Sequence, residues 1–133
     1  MPIVFQIRMV ESAKTRYQIL VVDDEPTVCK AIQMMLRYYG HEVQTATDGK
    51  TALALFAGGQ FDLVITDYLM PEMKGDQLVT HIKRCRPDQR IIMVTAFAED
   101  FVVHGKSTGG VDCVVNKPFS LDELRGAIAQ VMA

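Results

Sequence analysis

The chain has 133 residues, 49% hydrophobic and 23% charged, which fits one globular domain with one core. A formal net charge of -2 and a pI near 5.9 argue against binding to a nucleic-acid backbone as the main task, although a local basic patch is compatible with them. No apolar run approaches the length of a membrane span, and the N-terminus lacks the charged-then-apolar pattern of a signal peptide.

In chain order, residues 1–16 stand apart as an N-terminal extension. Ile3, Phe5, Ile7 and Met9 alternate with other residues, and a polar stretch from Glu11 to Arg16 follows. The pattern fits an extra strand or a disordered tail, and translation starting at Met9 is a third reading. A domain spanning 17–133 then begins. Ile19 to Val22 is a short β-branched run, the mark of a strand buried on both faces. Asp23, Asp24, Glu25 and Pro26 signal a helix start. Val28, Ala31, Ile32, Met35, Leu36 and Tyr39 recur at helical spacing as one inward face, and Gly40 ends the helix. Val43 to Ala46 is a second strand. Asp48 and Gly49 open a second helix with Ala52, Leu53 and Phe56 inward, closed by Gly58 and Gly59.

Leu63 to Ile65 is a third buried strand, followed by a loop from Asp67 to Lys74. A third helix starts at Asp76, turns Leu78, Val79 and Ile82 inward, and stops before Pro87. Ile91 to Val94 is the fourth strand. Glu99 to Ser107 is predicted as a fourth helix, a poor one, because Phe101, Val102, Val103 and Gly105 are weak helix formers. Cys113 to Val115 is the fifth strand. Ser120 and Glu123 form a capping box for a fifth helix with Leu121, Leu124, Ile128 and Val131 inward. The five alternations imply an α/β fold: a parallel sheet covered by helices on both faces, with right-handed crossovers. The three cysteines, Cys29, Cys85 and Cys113, have no metal-ligand spacing and read as free thiols in a reducing compartment, with buried structural roles.

The polar residues at the strand ends carry the chemistry. Strand one ends in Asp23 and Asp24, strand three in Asp67, strand four in Thr95, and strand five in Asn116 and Lys117. In an open parallel sheet these carboxyl ends share one edge, and ligands bind there beside the topological switch, which puts strand one between two and three. Three converging carboxylates repel unless a cation joins them, and an oxygen-only donor set suits Mg²⁺. Lys117 supplies a fixed positive charge and Thr95 a hydroxyl. An aspartate beside Mg²⁺ and a lysine is a nucleophile for a phosphoryl group.

Taken together, Asp23-Asp24, then Asp67-x-x-Met70-Pro71-x-x-x-Gly75, then Val94-Thr95-Ala96, then Lys117-Pro118-Phe119 resemble the receiver domains of two-component response regulators, over roughly Tyr17 to Met132. The resemblance implies a flavodoxin-like, doubly wound five-stranded parallel sheet in the order 2-1-3-4-5 with five helices. It implies Asp67 as phosphoacceptor. Mg²⁺ would be held by Asp24, Asp67 and the backbone carbonyl of Leu69, with Asp23 acting directly or through water. Lys117 would contact the phosphoryl group, Thr95 would move to bond it, and the Lys117-Pro118 bond would be cis. The implied partners are a sensor histidine kinase or phosphotransfer protein and a downstream protein, reached through the surface of the fourth helix, fifth strand and fifth helix. Met34 and Tyr38 lie opposite the apolar stripe of the first helix, where kinases dock in this family. The expected location is cytoplasmic, with neither DNA nor membrane bound directly. The residues leave the oligomeric state open, including dimerisation on phosphorylation. No enzymatic activity is expected beyond the domain's own phosphorylation and dephosphorylation.

Two departures from the family pattern stand out. Val114 occupies the position, three before the lysine, where the family usually carries a switching aromatic, and Phe97 is a candidate substitute. Leu69 and Phe97 occupy positions that influence attack of water on the phosphoryl group; both are apolar, so a long-lived aspartyl-phosphate is expected. Other readings fit less well. A haloacid-dehalogenase-like phosphatase would need a second acid where Leu69 stands. A dinucleotide binder would need a phosphate loop where the chain has Asp23, Asp24 and Glu25. A degenerate receiver would have lost part of the residue set. A receiver module cut from a larger protein, or an intermediate in a phosphorelay, is the alternative within the class.

Overall fold

The computed structural model of the protein describes residues 16–96, 98 and 109–133. Among them, five parallel strands form one sheet in the order β2-β1-β3-β4-β5. The elements are β1 (Gln18–Val22), α1 (Pro26–Tyr38), β2 (Glu42–Ala46), α2 (Gly49–Gly58), β3 (Leu63–Asp67), α3 (Gly75–Cys85), β4 (Arg90–Thr95), β5 (Cys113–Asn116) and α4 (Leu121–Met132). The helix expected over Glu99 to Ser107, and Phe97 before it, lie outside the described residues, as does most of the N-terminal extension. The last helix, fifth in the sequence reading, is therefore labelled α4. No helix among the described residues is long and apolar enough to cross a membrane.

Alternate residues of a strand face opposite sides of a sheet, so β1 feeds two cores. Ile19 and Val21 pack with Ile32 and Leu36 of α1 and with Leu124, Ile128 and Val131 of α4. Leu20 and Val22 pack with Ala52 and Phe56 of α2 and with Leu78, Val79 and Ile82 of α3. The helices thus cover both faces in pairs, and the continuous apolar runs of β1, β3 and β4 are buried on both sides.

Helix ends follow local chemistry. Pro26 occupies the first turn of α1. At its other end Gly40 adopts φ +90, and the Gly40 and His41 amides donate to the Arg37 and Leu36 carbonyls, a glycine-terminated stop. Asp48 Oδ1 accepts from the Thr51 amide at 2.6 Å to cap α2. The capping box at Ser120 and Glu123 is formed in both directions.

Four sequence expectations are corrected. Ala31 is exposed, because the buried stripe of α1 is centred on Cys29, Ile32 and Leu36, and Ala31 lies more than a quarter turn round the helix from it. Tyr39 falls after the helix as its cap and is half-buried, with the Arg125 guanidinium 4.4 Å from its ring centre. Helix α3 starts one residue early, at Gly75, with Gln77 Oε1 accepting the Lys74 amide. The cause is tertiary: Gly75 is pinned under the end of β3 by its amide, which donates to the Tyr68 carbonyl at 2.7 Å. Leu121 is half-buried where the pattern placed it inward.

Candidate phosphoryl-transfer site

Parallel pairing brings the carboxyl ends of β1, β3, β4 and β5 to one edge. Val22 pairs with Thr66, Asp67 with Val94, and Thr95 with Asn116. The next residues along β1 and β5, Asp23, Asp24 and Lys117, therefore project past the same edge as Asp67. Asp23, Asp24 and Asp67 each offer a carboxylate oxygen, all within 4.8 Å of one another. Lys117 Nζ lies 2.7 Å from Asp23 Oδ2 and 3.5 Å from Asp67 Oδ2. The sequence placed these residues in one cleft, and the structure brings them together.

The three carboxylates are held differently. Asp23, 2% exposed, is tied down: Oδ2 accepts from Lys117, and Oδ1 accepts the Glu25 amide at 2.9 Å. Asp67, 8% exposed, uses Oδ1 to accept the Tyr68 amide at 2.8 Å. No protein group bonds the half-exposed Asp24 carboxylate among the described residues. Asp24 is thus the least restrained of the three carboxylates, while Asp23 is held by Lys117.

The charge balance is unfavourable for the protein alone. Burial and the neighbouring Asp23 charge push the Asp67 carboxyl above its ordinary range, and Lys117 offsets this only in part. Burial would lower the Lys117 ammonium, but the hydrogen bond and charge of Asp23, together with Asp67, outweigh it and raise it. Lys117 is therefore fixed as a cation. One ammonium among three carboxylates leaves net negative charge, and an all-oxygen donor set fits a hard divalent ion.

The loop after Asp67 is tightly constrained. A Cβ on Gly75 would fall 2.1 Å from the Asp67 carbonyl oxygen and 2.9 Å from Tyr68 Cα, so only glycine fits there. Glu72 adopts φ +69 in a tight turn closed by the Met73 amide and the Pro71 carbonyl at 2.7 Å, a strained conformation for a non-glycine residue. Met70 is buried beneath the site, and Leu69 is 41% exposed on its rim. Thr95 ends β4 fully buried, and its carbonyl accepts the Lys117 amide at 2.9 Å, tying β4 to β5. The Lys117-Pro118 bond is cis, as the resemblance implied. Val114 is half-buried against the core shared by α2 and α3.

Sequence reading missed two supports of the site. The Tyr68 amide that orients Asp67 left no signal, since any residue type supplies an amide. Cys29, read as a buried structural thiol, sits under the Asp23 backbone, with Sγ 3.2 Å from its carbonyl oxygen. Its apolar neighbours in the sequence indicated burial but not that contact.

Comparison with known proteins agrees with this geometry. The response regulator receiver domain model matches residues 19–129. The probable transcriptional regulatory protein TcrX of Mycobacterium tuberculosis is 36% identical over 108 residues, 80% of this chain and 45% of the relative. The regulatory protein AtoC of Escherichia coli is 38% identical over 108 residues, 80% of this chain and 23% of the relative. This chain thus spans less than half the length of these curated relatives. Among solved structures, the response regulator TrrA of Thermotoga maritima in complex with Mg²⁺-BeF has a TM-score of 0.79 and 35% identity, covering 86% of this chain and 97% of that one. Chemotaxis response regulator CheY4 of Vibrio cholerae has a TM-score of 0.79 and 30% identity, covering 88% of this chain and 99% of its own. With four-fifths of the chain matched by the family model and its strand order that of the family, the protein belongs to the response regulator receiver domain family.

Proposed function

We propose that the domain is a signalling switch of a two-component system, activated when Asp67 takes a phosphoryl group from a phosphohistidine on a sensor kinase or phosphotransfer protein. The observation that carries this is the Asp23, Asp24 and Asp67 cluster with Lys117 Nζ 3.5 Å from Asp67 Oδ2. Asp24, Asp67 and the Leu69 carbonyl are the groups that would hold Mg²⁺, with Asp23 close by. The bound ion supplies charge neutralisation at the phosphoryl oxygens. As the donor's P–N bond breaks, a bond forms between phosphorus and the Asp67 oxygen not held by Tyr68, and the electron pair stays with the leaving imidazole. Lys117 balances charge on the transferred group. Thr95 then moves to donate its hydroxyl to a phosphoryl oxygen, and the shift passes to the surface around β5 and α4. The domain catalyses no reaction besides its own phosphorylation and dephosphorylation.

On the outer side of α1, Met34 is 64% exposed and Tyr38 81% exposed, with Ala31 also outward; this stripe suits docking of the phosphohistidine-bearing partner. Leu69 is apolar and outward at the rim, and its side chain has no group to orient a hydrolytic water molecule, which supports a long-lived aspartyl-phosphate. Val114 has no ring to swing, so switching runs without an aromatic at that position. Three free cysteines fit a cytoplasmic setting.

A second reading, a receiver module of a larger regulator or relay protein, is favoured by the length of the curated relatives, whose names describe transcriptional regulators. In either reading, output passes through a partner or a further segment, and dimerisation on phosphorylation is one route. The test is intact mass after incubation with a small phosphodonor and Mg²⁺. One phosphoryl addition is expected in wild type, and none in Asp67→Ala or without Mg²⁺. No addition under conditions that phosphorylate a control receiver would remove the self-catalysed step.

A further inference from the structure

We propose that Cys29 is a positioning residue for the metal site: its thiol fixes the backbone of Asp23 and thereby the placement of Asp24 beside Asp67. The inference rests on reading the carboxylate cluster as a magnesium site. Cys29 lies in the first turn of α1 and is 3% exposed. Its Sγ is 3.2 Å from the Asp23 carbonyl oxygen and 3.5 Å from that of Ala46, which also accepts the Asp23 amide at 3.1 Å. The thiol therefore stands where the end of β1, the end of β2 and the start of α1 meet.

That joint bears on the ion because the β1–β2 pairing stops short of Asp23 and Asp24. The β1–β2 register ends at Val22 and Ala46. Beyond it, one backbone bond from the Asp23 amide continues the ladder, and the chain then turns through Asp24 and Glu25 into α1. Among the described residues the Cys29 thiol is the donor to the Asp23 carbonyl, and no backbone amide shares that role. The Asp23 side chain is fixed by Lys117 and the Glu25 amide, whereas the Asp24 carboxylate has no such restraint. Its position follows from the backbone on either side, and the thiol secures one side. Groups that orient ligands from outside the coordination shell set affinity by removing the need to reorganise on binding. Any small apolar residue fills the same space; the donor is what distinguishes this role from packing.

The experiment is a calorimetric Mg²⁺ titration of wild type, Cys29→Ser and Cys29→Ala, paired with hydrogen exchange at the Asp24 and Glu25 amides without metal. Thermal unfolding confirms that each variant is folded. Cys29→Ala, which loses the donor, is expected to bind Mg²⁺ about 3- to 10-fold more weakly, at the mild end for such groups because a thiol is a weak donor, and to exchange these amides faster. Cys29→Ser keeps a donor and is expected to stay within about twofold of wild type on both readouts. Wild-type binding and exchange in Cys29→Ala would overturn the role of the thiol and leave the magnesium site standing. A serine variant as weak as the alanine variant would overturn it too, by making packing the cause. Absence of Mg²⁺ binding to wild type would remove the site reading itself and the inference with it.

Discussion

At the amino ends of the strands, Asp62, Asp112, Lys83 and Arg90 meet partners of opposite character. The Asp62 carboxylate accepts the Gln18 amide at 2.8 Å while the Asp62 amide returns a bond to the Gln18 carbonyl. Asp112 repeats the arrangement one crossover later, with its carboxylate on the Ile91 amide and its own amide on the Ile91 carbonyl, both at 2.8 Å. Lys83 donates to the Pro87 and Gln89 carbonyls, and Arg90 to the Val131 carbonyl. The carboxyl ends are built the other way. There, buried carboxylates face one another with a single lysine between two of them, and Asp67 is held above its ordinary range by burial and by Asp23. One end of the sheet stabilises the fold; the other gathers charge that the fold alone leaves uncompensated. Under the proposed function, a site that takes a divalent ion and a phosphoryl group would gain its affinity from that imbalance.

The largest expected effect breaks the comparison, because it puts a severe loss at the carboxyl end through shape instead of charge. Gly75→Ala places a Cβ 2.1 Å from the Asp67 carbonyl oxygen, so the β3–α3 junction must shift. Chemical denaturation is expected to register about 3 kcal/mol or more, in the range of strained or overpacked sites. Phosphorylation of Asp67 should fall with it. A near-neutral result would mean that the junction yields freely.

Next comes Asp112→Ala at the amino end. It strands the amide of the fully buried Ile91, at an expected cost of about 2 kcal/mol. A loss below a few tenths would place that end among ordinary surface positions.

Asp67→Asn should sharpen the comparison by its opposite sign. Without Mg²⁺ at neutral pH, neutralising this carboxylate removes a repulsion and is expected to stabilise by about 1 kcal/mol, read as a higher Tm. The folded-state pKa is raised, so the wild-type penalty is full above that value. It shrinks as pH falls through the folded pKa and vanishes below the unfolded one near 3.8, and the advantage of the variant should fade over the same window. Saturating Mg²⁺ should remove or reverse it at neutral pH. A destabilised Asp67→Asn in metal-free buffer would contradict the idea of an uncompensated site.

The smallest effect belongs to the amino end. His41 stacks on Tyr17 and accepts the Tyr17 amide at Nδ1, 3.1 Å away, while burial lowers its pKa below 6.5. Above 6.5 both folded and unfolded forms are neutral and no penalty applies; below it the unfolded chain protonates first, so stability should decline as pH falls toward the folded value. His41→Gln, which keeps an acceptor, should flatten that part of the Tm profile.

Much of this was legible from the chain. The short apolar runs, the alternation with helical patterns and the acidic or basic residue at each strand end sufficed for the parallel sheet and for the candidate site list, because both depend on local period and on where a strand leaves the core, while the full strand order came from the family resemblance. The list did not rank its members. Asp23 and Asp24 are neighbours of the same type, yet one is committed to Lys117, 94 positions away, and the other is not. Only the parallel register of β1, β3, β4 and β5 decides which of the two meets the lysine.

The sequence by itself determined the parallel α/β architecture, the sheet edge where acidic and basic residues gather and the residues that line it, because periodicity and strand-end chemistry are written locally. Tertiary structure alone decided that Gly75 must pass under the Asp67 carbonyl, that the stripe of α1 turns on Cys29 and leaves Ala31 outside, and that Asp62 and Asp112 clasp strands whose partners lie far along the chain. Those contacts depend on packing distance and register across the sheet, quantities that no single segment encodes.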